Sequence, residues 1–190
     1  MSTDIAERYV VRDIRADEWP TVKALRLDAL RDPVARLAFL ETYEDAIARP
    51  DAFWQERAAR SADGAGTVRQ FVAVAPDGVW AGTLTVLMEE AGTEAGTKDW
   101  AGYPVERRQG HAVGVFIRPE HRGHGLIEAL FAVGLEWAWK HGATRVRLLV
   151  HEDNGRAQGA YRKAGFAPSG VTVELAEGGG RELELAVERG

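Results

Sequence analysis

A short glycine-containing turn is the segment of this chain best suited to binding a ligand. It runs from Arg122 to Ile127, contains Gly123 and Gly125, and joins a strand-like run at Val113 to Ile117 to a long amphipathic stretch. Glycines at such a turn let backbone N–H groups face outward without interference from a Cβ atom. A helix N-terminus adds unpaired donors and about half a positive charge. The pattern therefore predicts a site for a phosphate or pyrophosphate group.

The turn does not match the other common phosphate-binding motifs. A dinucleotide-binding fingerprint needs a third glycine where this chain has Glu128, and a Gly-Lys-Ser/Thr sequence is absent. Taken alone, the turn is also compatible with a helix start that binds nothing.

A second segment begins at Asn154, which is placed to cap a short helix. At helical spacing, Ala157 and Tyr161 share one face of that helix. Gly165 and Phe166 end it. A tyrosine there is either an aromatic core residue with a satisfied hydroxyl or a group that projects towards a ligand.

Composition limits the function classes. The 190 residues suggest one domain, 1–190, with 45% hydrophobic residues and a net charge of −5. We expect no nucleic-acid partner because no broad basic stripe is available.

The absence of cysteine excludes disulfides, thiolate nucleophiles and zinc–sulfur sites, and the histidines suggest no metal site. Without a secretory signal or a run of about 18 apolar residues, we expect a cytoplasmic protein with no membrane partner.

Hydrophobic periodicity predicts the element order β-α-α-β-β-β-α-β-α-β-β, which favours a mixed sheet with helices on both faces. Asp77-Gly78 predicts a hairpin. A loop at Glu89 to Gly110 contains a short imperfect repeat at residues 90–97, and is interpreted as a surface insertion or a substrate flap. The predicted strands are Tyr9 to Ile14, Gln70 to Ala75, Val79 to Met88, His111 to Ile117, Arg145 to Val150, Val171 to Leu175 and Arg181 to Val187. The predicted helices cover Ala24 to Leu30, a segment from Pro50 to about Asp63, Gly125 to His141 and Asn154 to Ala164.

Together the two segments resemble the GCN5-related N-acetyltransferase (GNAT) family over Ala112 to Phe166. The acyl-CoA signature Gln/Arg-x-x-Gly-x-Gly/Ala is matched by Arg122 and Gly125, whereas Ile127 replaces its final small residue. The resemblance implies an α/β (α+β) fold of the acyl-CoA N-acyltransferase type. Its central sheet is mixed and mostly antiparallel, with two splayed parallel strands and helices on both faces.

The resemblance also implies that acetyl-CoA is the co-substrate and that no metal is needed. Backbone groups of Val115, Phe116 and Ile117 would hydrogen-bond the pantetheine arm like an added strand, and Asn154 would bind that arm or position the second strand. The Arg122 side chain could add a charge-assisted bond. Backbone amides would hold the pyrophosphate at Arg122, Gly123, His124, Gly125, Leu126 and Ile127.

In such enzymes a neutral primary amine attacks the thioester directly. Tyr161 matches the family's usual general acid, which protonates the departing thiolate. Glu89 is the first candidate for the general base and His111 the second. Glu41 and Glu44 lie in the helical region that commonly walls the acceptor site.

Acidic residues near the expected substrate mouth suit a small cationic amine as the acceptor. Two alternatives stay open: a protein N-terminal or lysine acetyltransferase, and a non-catalytic CoA-binding regulatory module. A homodimer is also expected from the resemblance, and the strand Arg181 to Val187 could offer a pairing edge.

Overall fold

The structure, a computed structural model, describes residues 8–92 and 103–190, apart from the side chain of Glu177. Within these residues a seven-stranded sheet has the order β1-β2-β3-β4-β5-β7-β6. Every neighbouring pair is antiparallel except β4 and β5. The strands are β1 Val10–Asp13, β2 Val68–Val74, β3 Trp80–Glu89, β4 Gln109–Ile117, β5 Arg145–His151, β6 Ala167–Glu174 and β7 Arg181–Glu188.

The helices agree with the periodicity of the sequence, with two short additions. Those expected near residues 24–30, 50–63, 125–141 and 154–164 are all present, and two short helices between the first pair had no clear sequence signal. The helices are α1 Trp19–Leu30, α2 Ala35–Ala38, α3 Tyr43–Ala48, α4 Asp51–Ser61, α5 Leu126–Lys140 and α6 Gly155–Lys163.

The two central parallel strands separate after a short contact. Their register contains only Gly110 opposite Val146 and His111 opposite Arg147. Beyond these pairs β4 stays bonded to β3 alone, which leaves its other edge open towards β5. This mixed sheet with a central opening confirms the fold class expected from the sequence.

Helix α5 forms the main core on one face of the sheet. Leu130 and Phe131 are almost fully buried in the same cluster as Leu84 of β3. The helix begins after Gly125 and is followed by Gly142, both of which have positive φ angles. On the other face, α1 packs with Val72 and Phe116. The sheet is therefore held rigidly on both sides of the opening.

Several expectations about element ends need correction. Asp17, which precedes the first predicted helix, is of a residue type that favours the N-cap position, but it lies inside a 3-10 turn, Ala16–Glu18, and does not cap α1. Arg181 to Val187 is not an edge, because β7 lies between β5 and β6. The hairpin at Asp77-Gly78 is confirmed, since Gly78 joins the antiparallel strands β2 and β3 with a φ of 86°.

The repeat at residues 90–97 lies largely outside the described residues. On the carboxyl side of that gap, the Tyr103 hydroxyl donates to the carbonyl of Thr172 at 2.8 Å. Val105 is buried, and its carbonyl accepts from the Gly92 amide at 3.2 Å. Both ends of the insertion are thus attached to the domain.

No helix in the described ranges 8–92 and 103–190 combines the length and apolar character needed to cross a membrane.

Candidate active site

A cavity of about 440 Å³ opens where β4 and β5 separate. We call it the cofactor cavity. Its walls come from Val115 to Ile117 of β4, from the turn before α5, and from the first two turns of α6. The cavity thus joins the two segments that the sequence predicts to bind a ligand.

A bulge in β4 shapes the inner end of this cavity. Val113 lies opposite Thr85 and Phe116 opposite Thr83, so β4 has one residue more than β3 in this interval. Gly114 lies in the bulge with a φ of 63°. A bulge redirects the backbone groups around it. The strand edge at Val115 to Ile117 is therefore presented to the cavity.

The turn has the geometry of an anion site. Gly123 and Gly125 have φ angles of 80° and 72°, in the region that favours glycine. Gly125 is the N-cap of α5, and no side chain caps its first amides. These N–H donors and the helix dipole fit a pyrophosphate group. Gly125, Leu126 and Ile127 all line the cavity.

Two residues of the turn have side chains that contact other parts of the protein. His124 does not line the cofactor cavity, and its ring lies 6.4 Å from the ring of Tyr9. The Arg122 guanidinium is bonded within the protein, because its Nε donates to the Ile117 carbonyl at 3.0 Å and a terminal nitrogen pairs with Asp32. The Arg122 side chain therefore links the turn to β4, and its charge is already paired with the Asp32 carboxylate.

Asp32, the carboxylate that pairs with Arg122, is ionised at neutral pH. Burial acts to raise the pKa of Asp32, but hydrogen bonds from the Val34 amide and from Arg122 outweigh burial and lower it. The ion pair consequently persists at neutral pH.

Asn154 is buried and caps α6, because its Oδ1 accepts from the Ala157 amide at 3.2 Å. It also lines both cavities of the site. One expected role, positioning the end of the second strand, fits this arrangement, since the backbone N–H of Asn154 donates to the carbonyl of His151 at 2.9 Å.

Tyr161 lies where the cofactor cavity meets a second cavity. Its ring makes edge contacts with Phe131 and Phe166, at centroid distances of 5.8 Å and 6.5 Å. Burial raises the pKa of Tyr161 to about 12. The hydroxyl is therefore protonated at neutral pH, as a proton donor must be.

The second cavity, of about 260 Å³, is called the acceptor cavity. Five residues line both this cavity and the cofactor cavity: Ala38, Phe39, Val115, Asn154 and Tyr161. Helices and the segment between them supply one wall, and β4, β5 and β7 supply the other. Its charged or titratable members are Arg26, Glu41, Arg57, His111 and Glu182.

The structure does not favour Glu89 as a base. Its carboxylate lines neither cavity and pairs with Arg147 at 2.7 Å and with Nδ1 of His111 at 3.1 Å. Burial acts to raise its pKa, but bonds from His111 and Arg147 lower the pKa of Glu89 to about 2. A carboxylate held so firmly in its ionised form is a weak proton acceptor.

Of the other candidates for the general base, two line the acceptor cavity and one does not. His111 and Glu41 line the acceptor cavity, whereas Glu44 is exposed and does not. Glu41 is bonded to both Arg26 and Arg49, at 3.0 Å and 3.1 Å.

Sequence reasoning missed three residues of the acceptor cavity, Arg26, Arg57 and Glu182. The alternation in β7 could have placed Glu182 on the same face as Glu184. No local signal could have brought Arg26 and Arg57 to one cavity, because they lie on different helices.

A mixed sheet that opens between two parallel strands, with an amide-rich turn at the opening, defines the acyl-CoA N-acyltransferase class. Residues 23–166 match the Acetyltransferase (GNAT) family, and the chain belongs to that family. The resemblance stated from the sequence is thereby confirmed, and the expected activity class agrees with it.

Comparison with individual proteins gives the same family. The chain is 33% identical over 87 residues to a Bacillus subtilis (strain 168) protein, provisionally named a ribosomal protein bS18-alanine N-acetyltransferase. The match covers 38% of this chain and 58% of that relative.

Solved structures share the fold at low identity. A GCN5-related N-acetyltransferase from Kribbella flavida has a TM-score of 0.70 and 19% identity, covering 97% of this chain and 99% of the other. The PaiA N-acetyltransferase from Thermoplasma acidophilum, solved with coenzyme A, has a TM-score of 0.68 and 15% identity, with coverages of 95% and 99%.

Proposed function

We propose that this protein transfers the acetyl group of acetyl-CoA to the primary amine of a small molecule, within a single domain spanning residues 1–190. The observation that carries the proposal is the meeting of the two cavities at Tyr161. One cavity has a strand edge and an anion-binding turn suited to a pantetheine diphosphate. The other is lined by titratable side chains suited to an amine.

The residues of the cofactor cavity fit acetyl-CoA by chemistry as well as by shape. The open edge of β4 at Val115 to Ile117 would pair with the amide groups of the pantetheine arm. Amides at Gly123 to Ile127 would bind the diphosphate. The half-buried side chain of Ile127 lines this cavity and also packs against the main core. This packing supports diphosphate binding by its amide despite the departure from the signature.

When acetyl-CoA is bound, its thioester supplies the acetyl group: a bond from carbon to the amine nitrogen forms as the carbon–sulfur bond breaks, and CoA leaves as the thiol. Tyr161 donates the proton that the sulfur takes, and the proton that the nitrogen loses as the amide forms restores the tyrosine hydroxyl. Backbone N–H groups near the bulge at Gly114 stabilise charge on the carbonyl oxygen.

Glu182 is the residue that we assign as the general base in place of Glu89. It lines the acceptor cavity together with Tyr161, and no lysine or arginine among residues 8–92 and 103–190 forms an ion pair with it. Burial raises the pKa of Glu182. A carboxylate in this state accepts a proton from an ammonium more readily than the tightly paired Glu89.

The carboxylates that suggested a small cationic acceptor are largely neutralised by arginines. Glu41 pairs with Arg26, Glu90 pairs with Arg108, and Glu89 pairs with Arg147. This pairing removes the main support for a cationic acceptor, although the amine itself still arrives as an ammonium.

Acetylation of a protein N-terminus is the second candidate, and the name of the Bacillus subtilis relative favours it. The two candidates, and a module that binds CoA without turnover, are separated by one experiment. Acetyl-CoA binding is measured by calorimetry, and thiol release is measured with amino acids, polyamines, aminoglycosides and peptides. Release with a small amine supports the proposal, release with peptides alone supports the second candidate, and binding without release supports the module.

A further inference from the structure

The acceptor cavity has a positively charged wall. Arg26 of α1 and Arg57 of α4 both line it, and both also line a small void beside Gly114 of the β4 bulge. The two guanidinium-bearing side chains therefore converge from separate helices at the inner part of the site.

Arg26 is already held in place. Its guanidinium lies over the ring of Phe39 at 4.3 Å and pairs with Glu41 at 3.0 Å. Glu41 also pairs with Arg49 at 3.1 Å. One carboxylate thus serves two arginines, and it has little charge left to compensate a third.

Arg57 is that third arginine. Its side chain is half-buried, and its guanidinium forms neither an ion pair nor a hydrogen bond to any other part of the chain that the structure describes. Burial and the charges of Arg26 and Arg49 lower its pKa, although the carboxylate of Glu41 acts in the opposite direction. A charge withdrawn from water without a partner is costly. A bound anionic group would supply the missing counter-ion.

The same cavity also contains groups suited to proton transfer. Tyr161 and Glu182 lie there, on α6 and β7, and they are the groups to which we assign proton transfer. An acceptor that bridges the cavity would turn its amine towards Glu182 and its other end towards Arg57. A guanidinium matches a carboxylate with two parallel hydrogen bonds.

We propose that the acceptor is a small amino-carboxylate compound, whose carboxylate is bound by Arg57 with Arg26 beside it. This inference rests on the proposed acetyltransferase function and specifies its substrate class. It replaces the cationic acceptor expected from the acidic residues of the sequence.

The test compares matched pairs of acceptors: free amino acids, including ω-amino acids, and their primary amides. Each pair keeps its amine and side chain and differs in the negative charge. Thiol release gives kcat and KM, and saturation-transfer NMR gives binding in the presence of CoA. We expect the free acids to have KM values lower than the amides by about ten- to a hundredfold.

Arg57→Gln is expected to raise KM for the free acids by a similar factor and to leave KM for acetyl-CoA nearly unchanged. An unchanged dissociation constant for acetyl-CoA in calorimetry also shows that the variant folds. Arg57→Lys should restore part of the affinity, because it keeps the charge without the planar fork. Arg60→Gln, an exposed arginine on the same helix whose side chain is 73% accessible, is the matched control and should behave like the wild type.

Two results would overturn the inference. Equal or better turnover of amides and other carboxylate-free amines would reject the carboxylate class and leave acetyl transfer intact. Failure of every free acid to bind by NMR would reject it whatever the activity shows. Failure to bind acetyl-CoA in calorimetry would instead reject the proposed function.

Discussion

His111 of β4 and Arg147 of β5 form the last parallel pair between the two central strands. Beyond this pair the strands separate, and the cofactor cavity occupies the resulting space. Both side chains are almost fully buried and belong to one polar network with Glu89. The network stabilises the point at which the sheet divides.

Replacing Tyr161 with phenylalanine removes the proposed proton donor and keeps the ring contacts with Phe131 and Phe166. We expect turnover to fall by about ten- to a thousandfold, since a thiolate is a fairly good leaving group. Steady-state thiol release measures the effect, and the melting temperature should hardly change. Tyr103→Phe, at an exposed tyrosine, is the control. A Tyr161→Phe enzyme with wild-type turnover would exclude the role.

Replacing Glu182 with glutamine removes the proposed base from the acceptor cavity. We expect kcat to fall by about ten- to a hundredfold. Because burial raises the pKa of Glu182 above its usual value of 4.5, the acidic limb of the kcat/KM profile should lie above pH 4.5 and disappear in the variant. The exposed Glu174 of β6 provides the control variant. Retention of the same limb in Glu182→Gln would refute the assignment.

Glu89 should matter for stability more than for proton transfer. Its pKa is lowered to about 2 from a usual value of 4.5, so its contribution is complete above pH 4.5 and is lost as the pH falls through about 2. At neutral pH, Glu89→Gln should lower the free energy of unfolding by about 2 to 3 kcal/mol.

Urea unfolding at several pH values measures this contribution. The difference between wild type and Glu89→Gln should shrink as the pH is lowered from 4.5 towards 2. Glu56→Gln, at a glutamate of α4 whose side chain is 72% accessible, is the control and should show little such dependence. A difference that stays constant with pH would contradict the ion-pair explanation.

Gly125→Ala should weaken acetyl-CoA binding. An alanine at a φ of 72° costs about 1 to 2 kcal/mol and disturbs the first amides of α5. We expect the dissociation constant from calorimetry to rise by about tenfold. Gly78→Ala imposes a similar strain at a φ of 86° in the distant hairpin. It should lose stability without losing affinity, and equal affinities for the two variants would count against the turn as the diphosphate site.

Gly82→Ala should destabilise the sheet next to the site. A Cβ there would lie 2.9 Å from the Phe116 carbonyl oxygen and would also meet the Ile117 side chain. We expect a loss of about 1 to 3 kcal/mol in urea unfolding. Gly66→Ala, where a Cβ has no neighbour within 4 Å, is the control. Equal stability of the two variants would show that β3 and β4 can relax.

The local elements and the cofactor cavity could be predicted from the sequence. Hydrophobic periodicity, the glycines at 123 and 125, and the segment from Asn154 to Phe166 are short-range signals, because helix starts and turns depend on neighbouring residues. These signals predict a strand at Val115 to Ile117, then the turn, and then a helix that contains Tyr161, and the fold has the same elements in the same order. The family resemblance then supplied the splayed strands.

Only the tertiary structure decided which charged side chains of the site pair with one another and which of them line the acceptor cavity. Whether a carboxylate is a base or half of an ion pair depends on what lies against it, and Arg147 neutralises Glu89 from a strand 58 residues away in sequence. Arg26, Arg57 and Glu182 come from two helices and a late strand, and their meeting in one cavity has no local sequence signature. The order in which the strands pair, which also depends on the tertiary structure, places β7 between β5 and β6 and not at the edge of the sheet. Charge interactions act through space, so the chain order alone could not assign them.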